Sequence, residues 1–191
     1  MKLILGSSSK FRRSVMDELG VHYEVVVPDI DEKAIRSNDP DELVLAIANA
    51  KADAVVARVQ EPAFVITSDQ VVVWNGQIRE KAESIEQAKE FIRSYSEHSA
   101  VVVNGMTVTN TETGKRVHSV EAMHVWYMPI PEDIIDLIAS EPDTMLSAGA
   151  LRFESSIWQK FMIHTDGSAD HAMGLPKKQL FDLFKQHGLD L

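Results

Sequence analysis

Residues 3–27 read LILGSSSKFRRSVMDELGVHYEVVV, and the changes of pattern inside this stretch decide the fold class. Leu3-Ile4-Leu5 is a short apolar run of the kind a buried strand needs, Ser7-Ser8-Ser9 is a polar loop, and Lys10 to Leu19 carries Val15 and Leu19 at helical spacing before Gly20 ends it. Tyr23 to Val27 then reads as a second strand. Strand, loop, helix, strand is the opening of an α/β fold.

Outward from there the same punctuation continues. Asp39-Pro40 supplies an N-cap and a first helical position for a helix through Leu43, Ile47, Ala50 and Ala54 to about Ala57. Phe64-Val65-Ile66 is the most apolar strand signal and resumes after Thr67-Ser68-Asp69-Gln70 as Val71 to Trp74, where Asn75-Gly76 marks a hairpin. Ser84 followed by Gln87 predicts a capping box and a helix with Ile85, Ala88, Phe91, Ile92 and Tyr95 inward. Ala100 to Thr109 and Arg116 to Tyr127 flank a turn at Thr113-Gly114 and should pair antiparallel, and helices are expected after Pro131 and from Pro176 to His187. The expectation is a single domain, residues 1–191, with a mixed twisted sheet, helices on its faces and two lobes around a cleft.

Composition narrows the class of function. The 191 residues are 45% hydrophobic, enough for a continuous core, and no tract is long and apolar enough for a bilayer span. A net charge of -10 argues against coating duplex nucleic acid, which calls for a broad basic face. With no cysteine there is no thiolate nucleophile, disulfide or Cys-based zinc site, which fits a reducing compartment such as the cytoplasm. An anionic ligand would have to be met by a local group of cations, a helix start or a bound metal.

Three segments carry chemistry. Ser7-Ser8-Ser9-Lys10-Phe11-Arg12-Arg13 brings hydroxyls and cations to a helix start, where free N–H groups and the helix dipole favour phosphate. The same segment also reads as an ordinary serine N-cap followed by a solvated basic turn. Asp69 lies between Ile66 and Val71, where an ionised carboxylate is costly unless paired, hydrogen-bonded or on a metal. It could hold a divalent cation or take a proton from water, or turn outward at a bulge. Asp29, Asp31 and Glu32 offer hard oxygen ligands suited to magnesium or manganese, or form a solvated acidic loop. Lys51 and Lys81 are individually uninformative, and the histidines show no metal-binding spacing.

Taken together, Leu3 to Ser9 with Arg12, Asp31-Glu32, Asn49-Ala50-Lys51-Ala52, Ser68-Asp69-Gln70-Val71, Lys81, Ala148-Gly149 and Gly174-Leu175-Pro176 resemble the Maf family of nucleoside triphosphate pyrophosphatases nearly end to end. The resemblance implies an α/β fold related to the inosine-triphosphate pyrophosphatases, a divalent metal, and hydrolysis between the α and β phosphates of a nucleotide substrate. It implies Asp69 as proton acceptor, Glu32 and Asp69 as metal residues, and Ser8, Arg12, Lys51 and Lys81 as a phosphate grip, with Ser7, Ser9 and Arg13 beside it. Ser68-Asp69-Gln70-Val71 is closer to the subgroup acting on 7-methyl-GTP than to the one acting on dTTP and UTP. Phe11, Gln70 and Glu154 then look like specificity residues: an aromatic face for a cationic ring, an amide for a base edge, and a carboxylate for guanine donors. Phe11 can equally face the core, four residues before Val15. Lys10 stands where the family usually has proline, and Glu80-Lys81-Ala82 where it has Gly-Lys-Pro. A homodimer is compatible with the sequence. The competing functional readings are a nucleotide-binding regulator of cell division without catalysis, a dTTP/UTP pyrophosphatase, and an unrelated phosphohydrolase using the same loop.

Overall fold

The computed structural model describes residues 1–189. Strands and helices follow in the order β1 Lys2–Gly6, α1 Lys10–Glu18, β2 Glu24–Val25, α2 Pro40–Val56, β3 Ala63–Trp74, β4 Gln77–Arg79, α3 Ile85–Ser94, β5 Ala100–Asn110, β6 Arg116–Tyr127, α4 Glu132–Ala139, α5 Ser156–Gln159, β7 Met162–Thr165, α6 Ala169–Ala172 and α7 Lys177–Gln186. The strands form one mixed sheet in the order β2-β1-β3-β5-β6-β7, with β4 hairpinned onto β3. β1 is parallel to both β2 and β3, whereas β4 on β3 and β7 on β6 are antiparallel.

The chain divides into two compact units. The first holds Met1–Asp69, Asn104–Glu121 and the segment from Met173 onward, and the second holds Gln70–Val103 and Ala122–Ala172. β3, β5 and β6 each contribute residues to both.

In the first unit the alternation of β3 sorts side chains to two faces. Phe64 and Ile66, with Leu5 of β1, pack on Val15 and Met16 of α1 and on Leu180, Leu183 and Phe184 of α7. Val65 and Ala63, with Ile4, meet Val55 of α2 on the other face. α2 starts where the sequence requires: Asp39 accepts from the amides of Asp41 and Glu42 at 2.8 and 3.2 Å, with Pro40 in the first turn. It lies very close to β5, because a Cβ on Gly105 would stand 2.7 Å from the backbone carbon of Val44. Only glycine allows that approach.

The buried residues of α2 are Leu43, Val44, Ile47, Ala48, Lys51, Ala52 and Val55, so the stripe is turned from the expected Leu43-Ile47-Ala50-Ala54 line. Its inner face contains a lysine.

The second unit has its own core, in which Val72, Ile92, Tyr95, Val125, Tyr127, Ile135, Ile138 and Trp158 are buried together. Here α3 begins with Ser84 accepting from the Gln87 amide at 3.1 Å, but Gln87 returns its side chain to the Glu83 amide rather than to the cap residue. The expected strand at Tyr23 to Val27 shrinks to Glu24–Val25, and β7, α5 and α6 had no sequence signal. Asn75 and Gly76 both adopt positive φ, 46° and 75°, which is the hairpin turn their dipeptide predicts.

Candidate active site

β1 pairs with β3 in parallel up to Gly6 opposite Thr67, so Ser7 to Ser9 leave the sheet alongside the next stretch of β3, Ser68 and Asp69. This is the carboxyl end of the parallel strands, where an α/β fold exposes loops and a helix start to a ligand. Within the loop, Ser7 is buried and its hydroxyl accepts from the Ser9 amide at 3.1 Å, while Ser9 caps α1 by accepting from the Arg12 amide at 3.4 Å. Two of the three serines are thus engaged in shaping the loop, and Ser8 stands exposed.

Asp69 does not turn outward. It sits inside an unbroken strand, 7% exposed, and its Oδ1 accepts from Lys51 Nζ at 2.8 Å. Lys51 is itself 5% exposed and reaches Glu32 Oε1 at 3.2 Å, so one ammonium joins two carboxylates. Glu32 comes from a short 3-10 turn that Asp31 caps by accepting from the Lys33 amide, and its side chain is half exposed. Lys51, uninformative as an isolated residue type, is therefore a buried and paired one. Position 51 follows Ile47 by one helical turn and precedes Val55 by another, a signal that was readable in the sequence.

The alternation of β3 explains the neighbours. Thr67 shares the α2 face with Asp69, and its hydroxyl donates to the Ala48 carbonyl at 2.7 Å, tying β3 to the helix that carries Lys51. Ser68 points to the other face and donates to the Gly174 carbonyl at 2.7 Å. Arg12 Nε donates to the same carbonyl at 3.1 Å. Gly174 is a residue whose role sequence reasoning missed: its carbonyl fixes β3 and α1 relative to each other within this unit. Burial lowers the Arg12 pKa, and the charges of Asp69 and Glu32 act to raise it again. The guanidinium stays cationic. Arg13 turns back on the loop instead, donating from Nη2 to the Ser8 carbonyl at 3.2 Å. Phe11 is half-buried, with Lys10 Nζ 5.3 Å from its ring centre, and lies outside the buried core of this unit.

Gln70, Lys81 and Glu154 belong to the second unit. The Gln70 amide nitrogen donates to the Ala172 carbonyl at 2.9 Å and to the His171 carbonyl at 3.5 Å, which directs both its hydrogens at backbone and leaves its oxygen as the available group. Glu154 Oε1 accepts from Arg152 Nε at 2.9 Å, and Arg152 also meets Glu141 at 2.8 Å and Asp143 at 3.6 Å. Lys81 is exposed and bridges to Ala148 through the backbone.

The donor set fits a divalent cation. Among the described residues no group of three or more His, Asp or Glu side chains gathers. Magnesium, however, is commonly held by one or two carboxylates with waters and substrate phosphates completing its shell, and Glu32 and Asp69 already converge on one positive charge.

Fold and site together define an α/β protein with a serine-capped helix start at the carboxyl end of the parallel strands and an ammonium, Lys51, joining a buried and a half-exposed carboxylate. The chain belongs to the Maf-like protein family, whose sequence profile matches residues 2–187. A 7-methyl-GTP pyrophosphatase of Dictyostelium discoideum is 39% identical, covering 96% of each chain. A dTTP/UTP pyrophosphatase of Thermotoga petrophila is 36% identical over 78% of this chain and 72% of its own. A solved dITP/XTP pyrophosphatase from Mycobacterium abscessus aligns with 98% of this chain and 94% of its own at a TM-score of 0.43 and 13% identity, too distant to bear on the fold. Among the described residues no helix is long and apolar enough to cross a membrane.

Proposed function

We propose that this protein is a nucleoside triphosphate pyrophosphatase that hydrolyses its substrate to a nucleoside monophosphate and pyrophosphate, with 7-methyl-GTP as the preferred nucleotide. The observation that carries the reading is Asp69, buried at the carboxyl end of the parallel strands, 2.8 Å from Lys51 and beside the Ser7–Ser9 loop. A purely structural role is a poor account of it, because replacing such a pair by apolar side chains is often neutral or stabilising.

In the proposed reaction the Asp69 carboxylate orients a water and takes its proton as the water oxygen attacks the α-phosphorus. A bond forms from that oxygen to phosphorus, the bond from phosphorus to the αβ-bridging oxygen breaks, and pyrophosphate departs with the electron pair. Arg12, the α1 amides and the Ser8 hydroxyl bind phosphate oxygens, and Lys51 holds Asp69 in place. Glu32 and Asp69 would hold magnesium or manganese, which when bound would supply neutralising charge for the triphosphate. Lys81 is assigned to the phosphates, and Phe11, Gln70 and Glu154 to the base. The support for these four is the family resemblance, together with the acceptor character of Gln70 and Glu154, which suits guanine N–H groups better than the carbonyl-flanked single N–H of uracil or thymine.

A nucleotide substrate and a cysteine-free chain fit the cytoplasm, and light scattering would report whether two copies associate. The test of function is a panel of 7-methyl-GTP, GTP, dTTP, UTP and CTP with magnesium or manganese, with products identified. Pyrophosphate and monophosphate are expected, most rapidly from 7-methyl-GTP. Orthophosphate as the only product, or tight binding of nucleotide with no turnover, would replace the reading with another phosphohydrolase or with the non-catalytic regulator.

A further inference from the structure

Arg79, at the end of β4, is 7% exposed, and among the described residues its partners are neutral. Its guanidinium carbon lies 4.2 Å from the Trp74 ring centre, 4.4 Å from Phe91 and 5.1 Å from Tyr95. Nη1 donates to Ser94 Oγ at 2.8 Å and to the Phe91 carbonyl at 3.4 Å, at the last turn of α3. A cation there is favoured by three ring faces and by the negative end of the helix dipole, which explains how it tolerates burial without a carboxylate. Trp74 Nε1 donates to the Ser94 carbonyl at 2.9 Å, so both strands of the β3–β4 hairpin are tied to the same helix end.

Tyr95, the residue that caps α3, extends this attachment. Its hydroxyl donates to the Gly149 carbonyl at 2.6 Å. The Gly149 amide in turn donates to the Glu80 carbonyl at 2.7 Å, and the neighbouring pair, Lys81 and Ala148, form a β-bridge. Gly149 has φ +58°, and a Cβ there would stand 2.4 Å from the Tyr95 oxygen and 2.8 Å from Val72 Cβ. Ala150 follows at φ +54°, a strained conformation for a residue with a Cβ and one that persists where surroundings enforce it.

We infer that Arg79 and Tyr95 are positioning residues for Lys81, clamping residues 79–81 and 148–150 to the end of α3 so that the lysine binds the triphosphate from a fixed backbone. This rests on the phosphate role proposed above for Lys81. Lys81 sits on no regular strand, its four-carbon stem is flexible, and one isolated bridge would leave its backbone free to shift. The clamp removes that freedom through two side chains that never touch substrate.

The experiment is a double-mutant cycle in the full-length protein between Tyr95→Phe, which deletes one oxygen and keeps the ring, and Lys81→Ala. Arg79→Lys provides a second arm in which the charge stays and the planar stacking is lost. The readouts are kcat/KM with the preferred nucleotide, thermal unfolding, and hydrogen exchange at the Gly149 amide. Tyr95→Phe and Arg79→Lys are each expected to lower kcat/KM by roughly ten- to a hundredfold. Neither should lower it further once Lys81 is alanine, and Gly149 exchange should quicken in both. Losses that multiply with that of Lys81→Ala overturn the inference, as does unchanged exchange at Gly149. A silent Lys81→Ala overturns it at its root while leaving the pyrophosphatase reading standing. Failure of that reading is separate, since it appears as a wild-type protein that releases no pyrophosphate.

Discussion

Replacing Lys51 by methionine keeps the length and most of the volume of the side chain and removes only the charge that Asp69 faces. The carboxylate is 7% exposed and loses a partner at 2.8 Å, while Glu32, half exposed, loses one at 3.2 Å and can turn to water. Breaking a buried pair by removing one member costs about 3–5 kcal/mol, because the remaining charge stays desolvated. Arg12 interacts with Asp69 and offsets part of this, which puts the expectation at the lower end, about 3 kcal/mol. For a chain of this length each kcal/mol moves the unfolding midpoint by about 2–4 °C, so Tm should fall by roughly 6–12 °C.

Urea and thermal unfolding of Lys51→Met, Asp69→Asn and the double variant complete the cycle. The double variant should recover most of the loss, since an uncharged amide facing a thioether leaves no buried ion. Manganese supplies a second reading, because a cation bound by Glu32 and Asp69 raises stability by about 2.7 kcal/mol at a hundred times its Kd. That gain should vanish in Asp69→Asn. If Lys51→Met costs under about 1 kcal/mol, or if the double variant is no better than the single, the pair is not the buried ion pair described and the argument from Asp69 to catalysis loses its footing.

Other consequences are open to direct measurement. Asp69→Asn should lower kcat by about 10²–10⁴-fold at unchanged fold, the usual contribution of a positioned general base, and retained turnover would reassign the base. Glu154→Gln should reduce the kcat/KM ratio of 7-methyl-GTP over UTP by roughly ten- to a hundredfold with little change in Tm, since Arg152 keeps Glu141 at 2.8 Å. Gly105→Ala should destabilise by about 1–3 kcal/mol in thermal unfolding, because the added methyl meets α2 backbone rather than a movable side chain. Burial pushes the Tyr95 hydroxyl up to about 12 from 10.0, so the folded state disfavours the phenolate. The stability this represents is complete below pH 10 and is lost as pH rises through 12, so wild-type stability should fall across that window more steeply than that of Tyr95→Phe, read by unfolding at fixed pH values.

The elements that the sequence announced were those with local physics behind them. β1, α1 and α2 have their periodicity and caps, the Asn75-Gly76 turn has its backbone chemistry, and Asp69 was conspicuous because a charge amid Ile66 and Val71 demands a partner. Arg12, Glu32 and the serine loop could be gathered only by resemblance. The fragments between 151 and 172 were not legible, since α5, α6 and β7 are each four residues long, too short for a periodic pattern to accumulate. Lys51 is uninformative by residue type and only its place between Ile47 and Val55 signals burial, and the chemistry of Arg79 and Tyr95 was not legible because their partners lie on other elements.

What the amino-acid order determined alone is the class of fold, the place of the hairpin, the helix starts and the cost of leaving residue 69 buried without a partner, all consequences of interactions reaching a few residues along the chain. The tertiary structure decided which partner it meets, that Ser7 and Ser9 build the loop while Ser8 faces outward, that Gln70 offers its oxygen, and that Gly174 and Tyr95 hold the flanking segments. Apart from the serine loop, whose own bonds span two and three residues, those outcomes depend on groups separated by 18 to 162 residues in sequence. Such distances close only when the sheet has set its register, and no local pattern records the pairing in advance.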